Sequence, residues 1–425
     1  MYLKKITLRN IRGFKELDFD LERPGNQYAG WTVFTGGNGS GKSTLLKAVA
    51  LCLVGCDTAR SLLPDFNGWI RKGAEQEVSF IQLDIVRIGM DDYVTQAVYP
   101  QNDLIKMEVV FKHNERHTNI QNILPMSIDG FILRQNPHGW FSCGYGPFRR
   151  MFGASTEAVR QMVSPTTERF VTMFHEAASL AEADQWLKTL KHKTLEGRQE
   201  ETDLLKLILE ILSDALLPND VVLDRVDSDG LWLKDRGGTR LSWSDMSDGF
   251  RSVLALMVDI LRHLVNAYGI RDLYDRGGDG EIRIKRSGVI LIDEIDAHLH
   301  PSWQQEIGFW LKRHFPKIQF LVTSHSPLVC QAADQNGIFV LPDDDDSPPG
   351  PITPLDHARI IASRPDTILL SPAFGLQNTR SGQAVAWRAE WSALDAKKRV
   401  GGALTADELE KWEKWKNWPF DDEEG

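Results

Sequence analysis

The stretch WTVFTGGNGSGKS, residues 31–43, joins a short apolar run to a helix candidate over Ser43–Val54. Its last eight residues fit the pattern G-x-x-x-x-G-K-[ST], the Walker A loop. Glycines allow successive backbone N–H groups to face a phosphate without side-chain clashes, and the following helix directs the positive end of its dipole at the same anion. The stretch therefore predicts a strand–loop–helix unit of an α/β fold that binds a nucleotide phosphate.

This loop supplies the predicted ATP-binding residues. Lys42 is placed to reach the β- and γ-phosphates, and the hydroxyl of Ser43 is placed to hold Mg²⁺. The full predicted set consists of Gly36, Gly37, Asn38, Gly39, Ser40, Gly41, Lys42, Ser43 and Thr44. ATP and Mg²⁺ are therefore the cofactors that the sequence predicts.

A second motif, GVILIDE over residues 288–294, has the form of a buried strand that ends in two carboxylates, the Walker B pattern. In a doubly wound sheet, ligands bind at the carboxyl ends of the strands. We therefore expect Asp293 to contact Mg²⁺, and Glu294 to orient or deprotonate the attacking water. A core strand followed by a solvated acidic turn would have the same pattern, but the Walker A loop favours the catalytic interpretation.

Two shorter segments are candidates for the same site. His325 lies in TSHSP, residues 323–327, directly after a predicted buried strand, where a histidine can hydrogen-bond a γ-phosphate oxygen. Ser247 and Gly249 lie in MSDGFR, residues 246–251, at the start of a predicted helix, where they can form a second anion site. Each segment also has an ordinary interpretation, as a surface turn or as a helix-capping sequence.

In this order, the four motifs resemble the heads of ABC-type ATPases, and MSDGFR is similar to their signature motif. The resemblance implies an ABC-ATPase head, a mixed sheet with flanking helices, in which Glu294 and His325 catalyse ATP hydrolysis. It also implies a homodimer that sandwiches two ATP molecules, so that Ser247 and Gly249 of one copy complete the Walker A site of the other. Asp296 falls at the position of the D-loop.

The spacing of the motifs narrows the resemblance to one subgroup. Lys42 and Ser247 lie 205 residues apart, farther than in transporter ATPase subunits, and the long coiled coils of SMC proteins are not predicted. The chain is most similar to RecF/OLD-like ATPases of bacterial defence, including the Septu-type and retron-associated ATPases, in ITLRNIRGFKEL, GYGPFRR, DEIDAHLHP and SPAFGLQNTRS. The signature departs from the family pattern at Met246 and Asp248, but Ser247 and Gly249 keep its chemistry.

The resemblance also implies partners. Septu-type ATPases pair with an HNH nuclease, and residues 351–425 are too few for the Toprim nuclease domain of OLD-type relatives. We therefore expect an ATPase subunit that regulates a partner nuclease in anti-phage defence. The alternative is a RecF-like ATP-dependent DNA clamp in repair. The helical stretch 150–216 carries basic residues that form either a solvated face or a groove for nucleic acid or a partner.

Changes of pattern along the 425 residues predict five segments. They are an N-terminal ATPase lobe (1–150), a helical insertion (151–220), a C-terminal ATPase lobe (221–342), an Asp- and Pro-rich linker (343–350) and a small C-terminal extension (351–425). Hydrophobic residues make up 42% of the chain and charged residues 25%, which is typical of a globular protein and excludes a disordered or collagen-like one.

Charge and hydropathy give expectations about the surroundings of the protein. A net charge of −10 argues against a surface built wholly to coat DNA, although it is compatible with a local basic groove. The sequence has no apolar run of about 18 residues, no recognisable signal peptide and only four scattered cysteines. We therefore expect a cytoplasmic protein without membrane contact.

Some residues are left with two interpretations. Gln82 is a candidate for the Q-loop or a plain strand residue, and Tyr145 and Arg149 either contact nucleotide or a partner, or pack internally. A tryptophan stripe in the last predicted helix would dock on the chain's own core or on another protein, and it consists of Trp412, Trp415 and Trp418.

Overall fold

The computed structural model describes residues 1–87, 104–114, 117–123, 140–149, 165–176, 178–214, 217, 221–341 and 349–416. Within these ranges the strongest sequence patterns form the expected elements. The Walker B strand spans Gly288–Ile292, as predicted. The helix after the Walker A loop begins at Lys42 and is interrupted by the non-helical backbone of Gly55, directly after the predicted end at Val54, and a second helical stretch continues to Leu62.

A six-stranded sheet carries both nucleotide motifs. Its strands, in spatial order, are β16 (Gly350–Pro351), β15 (Ile338–Val340), β3 (Gly30–Thr35), β14 (Ile318–Thr323), β13 (Gly288–Ile292) and β7 (Ser142–Tyr145). The strands from β15 to β7 are parallel, and β16 is antiparallel to β15. All residues of β13 and β14 are buried, as expected of central parallel strands that are covered on both faces.

The position of β14 between β3 and β13 brings the motifs together. Phe34 is in register with Thr323, and Ile292 is in register with Val322. Because these three strands are parallel, the loop after β3 and the turns after β13 and β14 leave the sheet at the same edge. The Walker A loop, Asp293 and His325 therefore lie along one edge of the sheet.

The predicted α/β class with a mixed sheet and flanking helices is confirmed, and a second large sheet lies on the other side of the helix that follows the Walker A loop. The second sheet is antiparallel, and its strands in spatial order are β2 (Phe14–Asp20), β1 (Tyr2–Ile11), β4 (Ser79–Val86), β5 (Ile105–His113) and β6 (Thr118–Ile123). Helix α1 (Lys42–Leu62) packs against strands of both sheets. The two layers stay apart because α1 buries apolar residues on both of its sides.

The segment predicted as a helical insertion is helical where it is described. Its helices are α2 (Pro165–Glu168), α3 (Val171–Phe174), α4 (Ala181–Leu195) and α5 (Gln199–Ser213). Both α4 and α5 pack against α6 (Asp248–Tyr268), the helix that opens with the predicted signature motif. Two small sheets complete this part, formed by β8 (Val222–Asp227), β9 (Gly230–Lys234) and β10 (Arg240–Ser242), and by β11 (Tyr274–Arg276) and β12 (Ile282–Ile284).

The C-terminal extension is attached to the main sheet. Residues 343–348 of the predicted linker lie outside the described residues, whereas Gly350 pairs with Val340, so the last residue of the predicted linker belongs to the sheet. Ile360 and Ile368 of the extension are buried in the same core as the main sheet. The remaining helices are α7 (Pro301–His314), α8 (Pro327–Cys330), α9 (Pro354–Ala362), α10 (Pro365–Leu369), α11 (Gly382–Arg399) and α12 (Ala406–Trp415).

The tryptophan stripe packs on its own chain. Trp415 is buried, and the indole N–H of Trp412 donates to a carboxylate oxygen of Asp395 in α11 at 3.1 Å. Trp418 lies outside the described residues. Across the described ranges, none of the helices combines the length and the apolar character that crossing a bilayer requires.

Candidate functional site

Two glycines of the Walker A loop are required by close backbone contacts. Gly36 has a φ of 143°, and a Cβ at this position would lie 2.3 Å from the carbonyl oxygen of Leu341. Gly41 has a φ of 95°, and a Cβ there would lie 2.5 Å from the ring of Phe14. Side chains at either position would force the loop open, so the curved shape of the loop depends on both glycines.

Lys42 is folded over the same loop. Its side chain is 6% exposed, and Nζ donates hydrogen bonds to the carbonyl oxygens of Gly36 at 2.8 Å and Gly37 at 2.7 Å. The ammonium group thus lies inside the curve of the loop. Ser43 and Thr44 follow in the first turn of α1, where both are partly buried.

The start of α1 and the hydroxyl of Ser40 offer polar groups that can bind an anion. No side chain caps α1 at Gly41, so the positive end of the helix is not neutralised by its own N-terminal residue. The hydroxyl of Ser40 is buried and has no hydrogen-bond partner among the described residues. Asn38 and Gly39 are exposed at the tip of the loop. This combination fits a phosphate group, which supplies acceptors for such donors.

The turn after β13 is held by hydrogen bonds from the neighbouring strand. Asp293 is 1% exposed, and its Oδ1 accepts a hydrogen bond from the hydroxyl of Thr323 at 2.6 Å. The same hydroxyl accepts the backbone N–H of Glu294 at 2.7 Å. The N–H of Asp293 donates to the carbonyl oxygen of Tyr145 at 2.8 Å. The carboxylate of Asp293 and the backbone of Glu294 are therefore held to β14, and the backbone of Asp293 is held to β7.

The turn that carries His325 is tied to the predicted D-loop. The hydroxyl of Ser324 donates to Oδ1 of Asp296 at 2.7 Å, and the N–H of His325 donates to the same oxygen at 3.4 Å. The side chain of His325 is exposed. Asp296 therefore joins the turn after β13 to the turn after β14, and His325 projects from this junction.

The predicted signature residues lie at the N-terminus of α6. Ser247 is exposed, and its side chain makes no capping hydrogen bond to the helix. Gly249 meets the loop after Walker B, because a Cβ there would lie 2.4 Å from the carbonyl oxygen of His298. Close packing accounts for the glycine. The exposed Ser247, by contrast, stands at the cap position of α6 without capping it.

The sequence left two interpretations each for Tyr145, Arg149 and Gln82, and all three make hydrogen bonds within the chain. Tyr145 is buried and donates to Oδ2 of Asp259 at 3.0 Å. The guanidinium of Arg149 is buried behind the Walker B turn, where it donates to the carbonyl oxygen of Asp293 at 2.8 Å. The amide of Gln82, in the middle of β4, donates to Asp84 on the same strand at 2.9 Å. These contacts favour the packing interpretation for all three.

Two residues that support the site lack a local sequence signal. The segment TSHSP singles out His325 and not Thr323, yet the hydroxyl of Thr323 bonds both Asp293 and Glu294. Phe14 lies against Gly41 because the turn between β1 and β2 reaches the Walker A loop. The opening ITLRNIRGF contains Phe14, but only the packing of the two sheets shows which loop it supports.

A magnesium site would need oxygens from a ligand. Among the described residues, no group of three or more His, Cys, Asp or Glu side chains is arranged to hold a metal ion by itself. Ser43 and Asp293 provide one hydroxyl and one carboxylate at the same sheet edge. This is the donor set that Mg²⁺ uses when phosphate oxygens and water complete its octahedral shell.

Two protein-family models match the chain. A model described as "AAA domain" matches residues 5–212, and one described as "AAA domain, putative AbiEii toxin, Type IV TA system" matches residues 163–331. Over residues 5–331, which include the glycine-rich loop at the edge of the parallel sheet, the chain is thus similar to P-loop ATPases of the AAA/ABC type.

Two curated relatives show more specifically which proteins the chain is similar to. The chain is 26% identical to the Septu protein PtuA of Bacillus mycoides, over 80% of this chain and 40% of the relative. It is 27% identical to the "Retron Ec83 probable ATPase" of Escherichia coli, over 79% of this chain and 70% of the relative. The chain is thus similar to a Septu protein and to a probable retron ATPase, and it spans 40% of the length of the Septu relative.

A shorter match joins the chain to DNA-repair ATPases. The DNA double-strand break repair Rad50 ATPase of Methanosarcina mazei is 39% identical over 99 residues, which are 23% of this chain and 8% of that one. Among solved structures, the SMC head bound to the C-winged helix domain of ScpA has a TM-score of 0.46 and 14% identity, covering 80% of this chain and 94% of that one.

Proposed function

We propose that the chain binds Mg-ATP in the loop 36–44 and hydrolyses it. The observation that carries the proposal is the position of β14, which holds the predicted Walker B turn next to the Walker A loop through the hydroxyl of Thr323. A buried carboxylate, a buried ammonium and uncapped helix N–H groups are thereby gathered at one sheet edge. These are the parts that phosphoryl transfer requires.

Each residue has a role in this proposal. Lys42 leaves the carbonyl oxygens of the loop to bind the β- and γ-phosphates, and Ser43 and Asp293 hold Mg²⁺. The ion supplies charge neutralisation on the phosphates. Glu294 orients or deprotonates the attacking water, and His325 hydrogen-bonds the γ-phosphate. The backbone of the loop from Gly36 to Thr44 binds the remaining phosphate oxygens.

We further propose that the site is completed by a second copy of the chain. Ser247 and Gly249 lie at the N-terminus of a 21-residue helix with a cap serine whose hydroxyl makes no cap bond. Such a terminus can donate its N–H groups to the γ-phosphate held by the other copy. ATP would then act as the link between two heads, and hydrolysis would separate them.

Residues 1–342 are proposed to form the ATPase head, with 151–220 as an inserted helical unit and 351–425 as an attached extension. The relationship to Septu and retron ATPases supports a role as the ATPase subunit of an anti-phage complex, which regulates a partner nuclease of the HNH type. In this proposal the partner carries out the cutting.

The partner is tested by isolating tagged Glu294→Gln protein from its native host, since this variant would hold ATP in the closed dimer. We expect a nuclease to be recovered in stoichiometric amount. The tagged Lys42→Ala protein is the control, because loss of ATP should change the amount or the state of the partner. Recovery of neither nuclease nor any other stoichiometric protein would contradict the defence-complex proposal.

A second candidate is an ATP-dependent DNA clamp, which the local similarity to a Rad50 ATPase favours. Such a clamp would bind duplex DNA only with ATP, and its affinity would fall steeply as salt is raised because phosphate contacts release counterions. Fluorescence anisotropy with labelled duplex DNA distinguishes the two. ATP-dependent binding by the isolated chain favours the clamp, and absence of binding favours the nuclease-regulating subunit.

A further inference from the structure

Arg149 is a buried cation directly behind the turn that carries the predicted catalytic base, Glu294. Its Nη1 donates to the carbonyl oxygens of Gly146 at 3.0 Å and Asp293 at 2.8 Å. Its Nη2 donates to the carbonyl oxygens of Glu294 at 3.0 Å and Ile295 at 3.4 Å. One guanidinium therefore binds the carbonyl groups of three consecutive residues of the Walker B turn.

The backbone that Arg149 holds is in an unfavourable conformation. Glu294 has a φ of 47°, in the left-handed region that a residue with a Cβ rarely adopts. Its N–H is bonded to the hydroxyl of Thr323, and its carbonyl oxygen is bonded to Arg149. The direction of the Glu294 side chain is thus set by hydrogen bonds on both sides of its Cα. Loss of either bond would allow the turn to relax.

The internal contacts of Arg149 do more than fill space in the core. Arg149 is 3% exposed, and the loss of hydration lowers its pKa to about 10, although Asp293, Asp296 and Glu294 act in the opposite direction. Where only packing is needed, a buried ionic group gives no advantage over an apolar side chain of similar volume. A planar group with five fixed donors is instead suited to holding several backbone acceptors in one geometry.

The segment that contains Arg149 is also fastened to the signature helix α6. The hydroxyl of Ser252, in the second turn of α6, donates to the carbonyl oxygen of Arg149 at 3.1 Å and is buried. Two turns further along α6, Asp259 accepts the hydroxyl of Tyr145 at 3.0 Å. A movement of α6 would therefore displace residues 145–149, and with them the Walker B turn.

We propose that Arg149 is a positioning residue that holds Glu294 in its hydrolysis-competent geometry and makes this geometry depend on the position of α6. The inference rests on the proposed ATPase function and deepens it. When Ser247 and Gly249 at the start of α6 engage the nucleotide of the second copy, the shift of α6 reaches Glu294 through Ser252 and Arg149. Hydrolysis thereby requires closure of the dimer, whereas binding of ATP by residues 36–44 does not.

The test compares variants of two buried arginines in the full chain. Arg149→Gln, Arg149→Lys and Ser252→Ala alter the proposed connection. Arg23→Gln is the matched control, because Arg23 is 6% exposed and donates to the carbonyl oxygen of Tyr28 at 2.8 Å, near the start of β3 and away from the site. For each protein, the melting temperature, the Kd for a non-hydrolysable ATP analogue, and kcat and KM for ATP are measured.

We expect kcat of Arg149→Gln to fall about 10- to 100-fold, because small misplacements of a catalytic group have effects of this size, while the Kd stays within about twofold. Arg149→Lys should recover part of the loss, since an ammonium keeps the charge but forms fewer bonds to carbonyl groups. Ser252→Ala should lower kcat by a smaller factor. Arg23→Gln should keep the wild-type kcat even if its melting temperature falls.

Three results would overturn the inference. One is a folded Arg149→Gln protein with the wild-type kcat, and another is an equal loss of kcat in Arg23→Gln, which would indicate general loosening of the fold. If Arg149→Gln does not fold, Ser252→Ala decides, and an unchanged kcat in that variant overturns the inference. Wild-type protein that binds ATP without hydrolysing it would instead contradict the proposed ATPase function, and the inference with it.

Discussion

The turn after β13 and the start of α6 are the two halves of the proposed site, and they differ in how completely the chain supports them. Asp293 is buried and bonded to Thr323, and the neighbouring carbonyl groups are bonded to Arg149. Ser247 is exposed, and its side chain does not cap its helix. The first half is preorganised within one chain, whereas the second presents its donors to the outside. The difference is what a site shared between two copies requires.

Replacement of the proposed general base, Glu294, should disable the preorganised Walker B half of the site. Glu294→Gln should reduce ATP hydrolysis by on the order of 10²–10⁴-fold, because an amide cannot accept a proton from water. Binding of ATP should persist, and size-exclusion chromatography with ATP should show an accumulated dimer. Asp279→Asn, a change in an exposed loop, is the control. Hydrolysis at the normal rate in Glu294→Gln would show that another group activates the water.

A bulky charge at the exposed half tests whether that half acts on a second copy. Ser247→Arg should lower hydrolysis by on the order of 10²-fold, the effect expected when donors to a developing charge are lost. The Kd for ATP and the melting temperature should change little, because Ser247 is exposed. Thr239→Arg adds the same charge at another exposed position and should be silent. Normal turnover in Ser247→Arg would contradict the shared site.

Truncation of Lys42 should weaken ATP binding itself, whereas the changes at Glu294 and Ser247 should affect mainly hydrolysis. Lys42→Ala should weaken ATP binding by about 100-fold, since a charge-assisted contact to phosphate is worth roughly 1.5–3 kcal/mol and the bonds that shape the loop are lost with it. Isothermal titration calorimetry measures the Kd directly. Lys47→Ala, one turn further along α1, is the control and should bind normally. Unchanged affinity in Lys42→Ala would place the nucleotide elsewhere.

The smallest expected effect comes from the hydroxyl that joins the two strands. Thr323→Val keeps the shape of a fully buried side chain but leaves the N–H of Glu294 and an oxygen of Asp293 without this partner. Unfolding should become easier by about 1–3 kcal/mol, the cost of unsatisfied buried polar groups. Chemical denaturation measures this change. If Thr323→Val lowers the rate of ATP hydrolysis more than it lowers the affinity for ATP, the result would support the difference between the preorganised Walker B turn and the exposed start of α6.

The parts of the fold that the sequence predicts correctly are those with local physical causes. A short apolar run between Gly288 and a carboxylate pair favours a buried strand over a helix by its length, and β13 has the predicted bounds Gly288–Ile292. The Walker A stretch likewise predicts the strand, loop and helix in order. The division into two sheets was missed, because the burial of α1 on both sides is decided by what packs there, and the sequence shows only that α1 is apolar.

The attachments of the site were not visible in the sequence for a related reason. Thr323 bonds a carboxylate 30 residues earlier, and Ser252 bonds the carbonyl group of Arg149, 103 residues earlier. The resemblance of GYGPFRR to related ATPases drew attention to Arg149, but its partners are backbone carbonyls, which every residue possesses. A contact to the backbone therefore leaves no pattern of residue types that could reveal it.

By itself, the sequence determined the glycine-rich loop after β3, the strand β13, the order of the motifs and the resemblance to ABC-type ATPases, because glycine spacing, apolar runs and terminal carboxylates fix the local backbone. Only the tertiary structure decided that β14 joins the two nucleotide motifs, that Arg149 holds the turn of Glu294 and that Ser247 faces outward. These features depend on which strands become neighbours, and that is set by the packing of the whole core around α1 and α6.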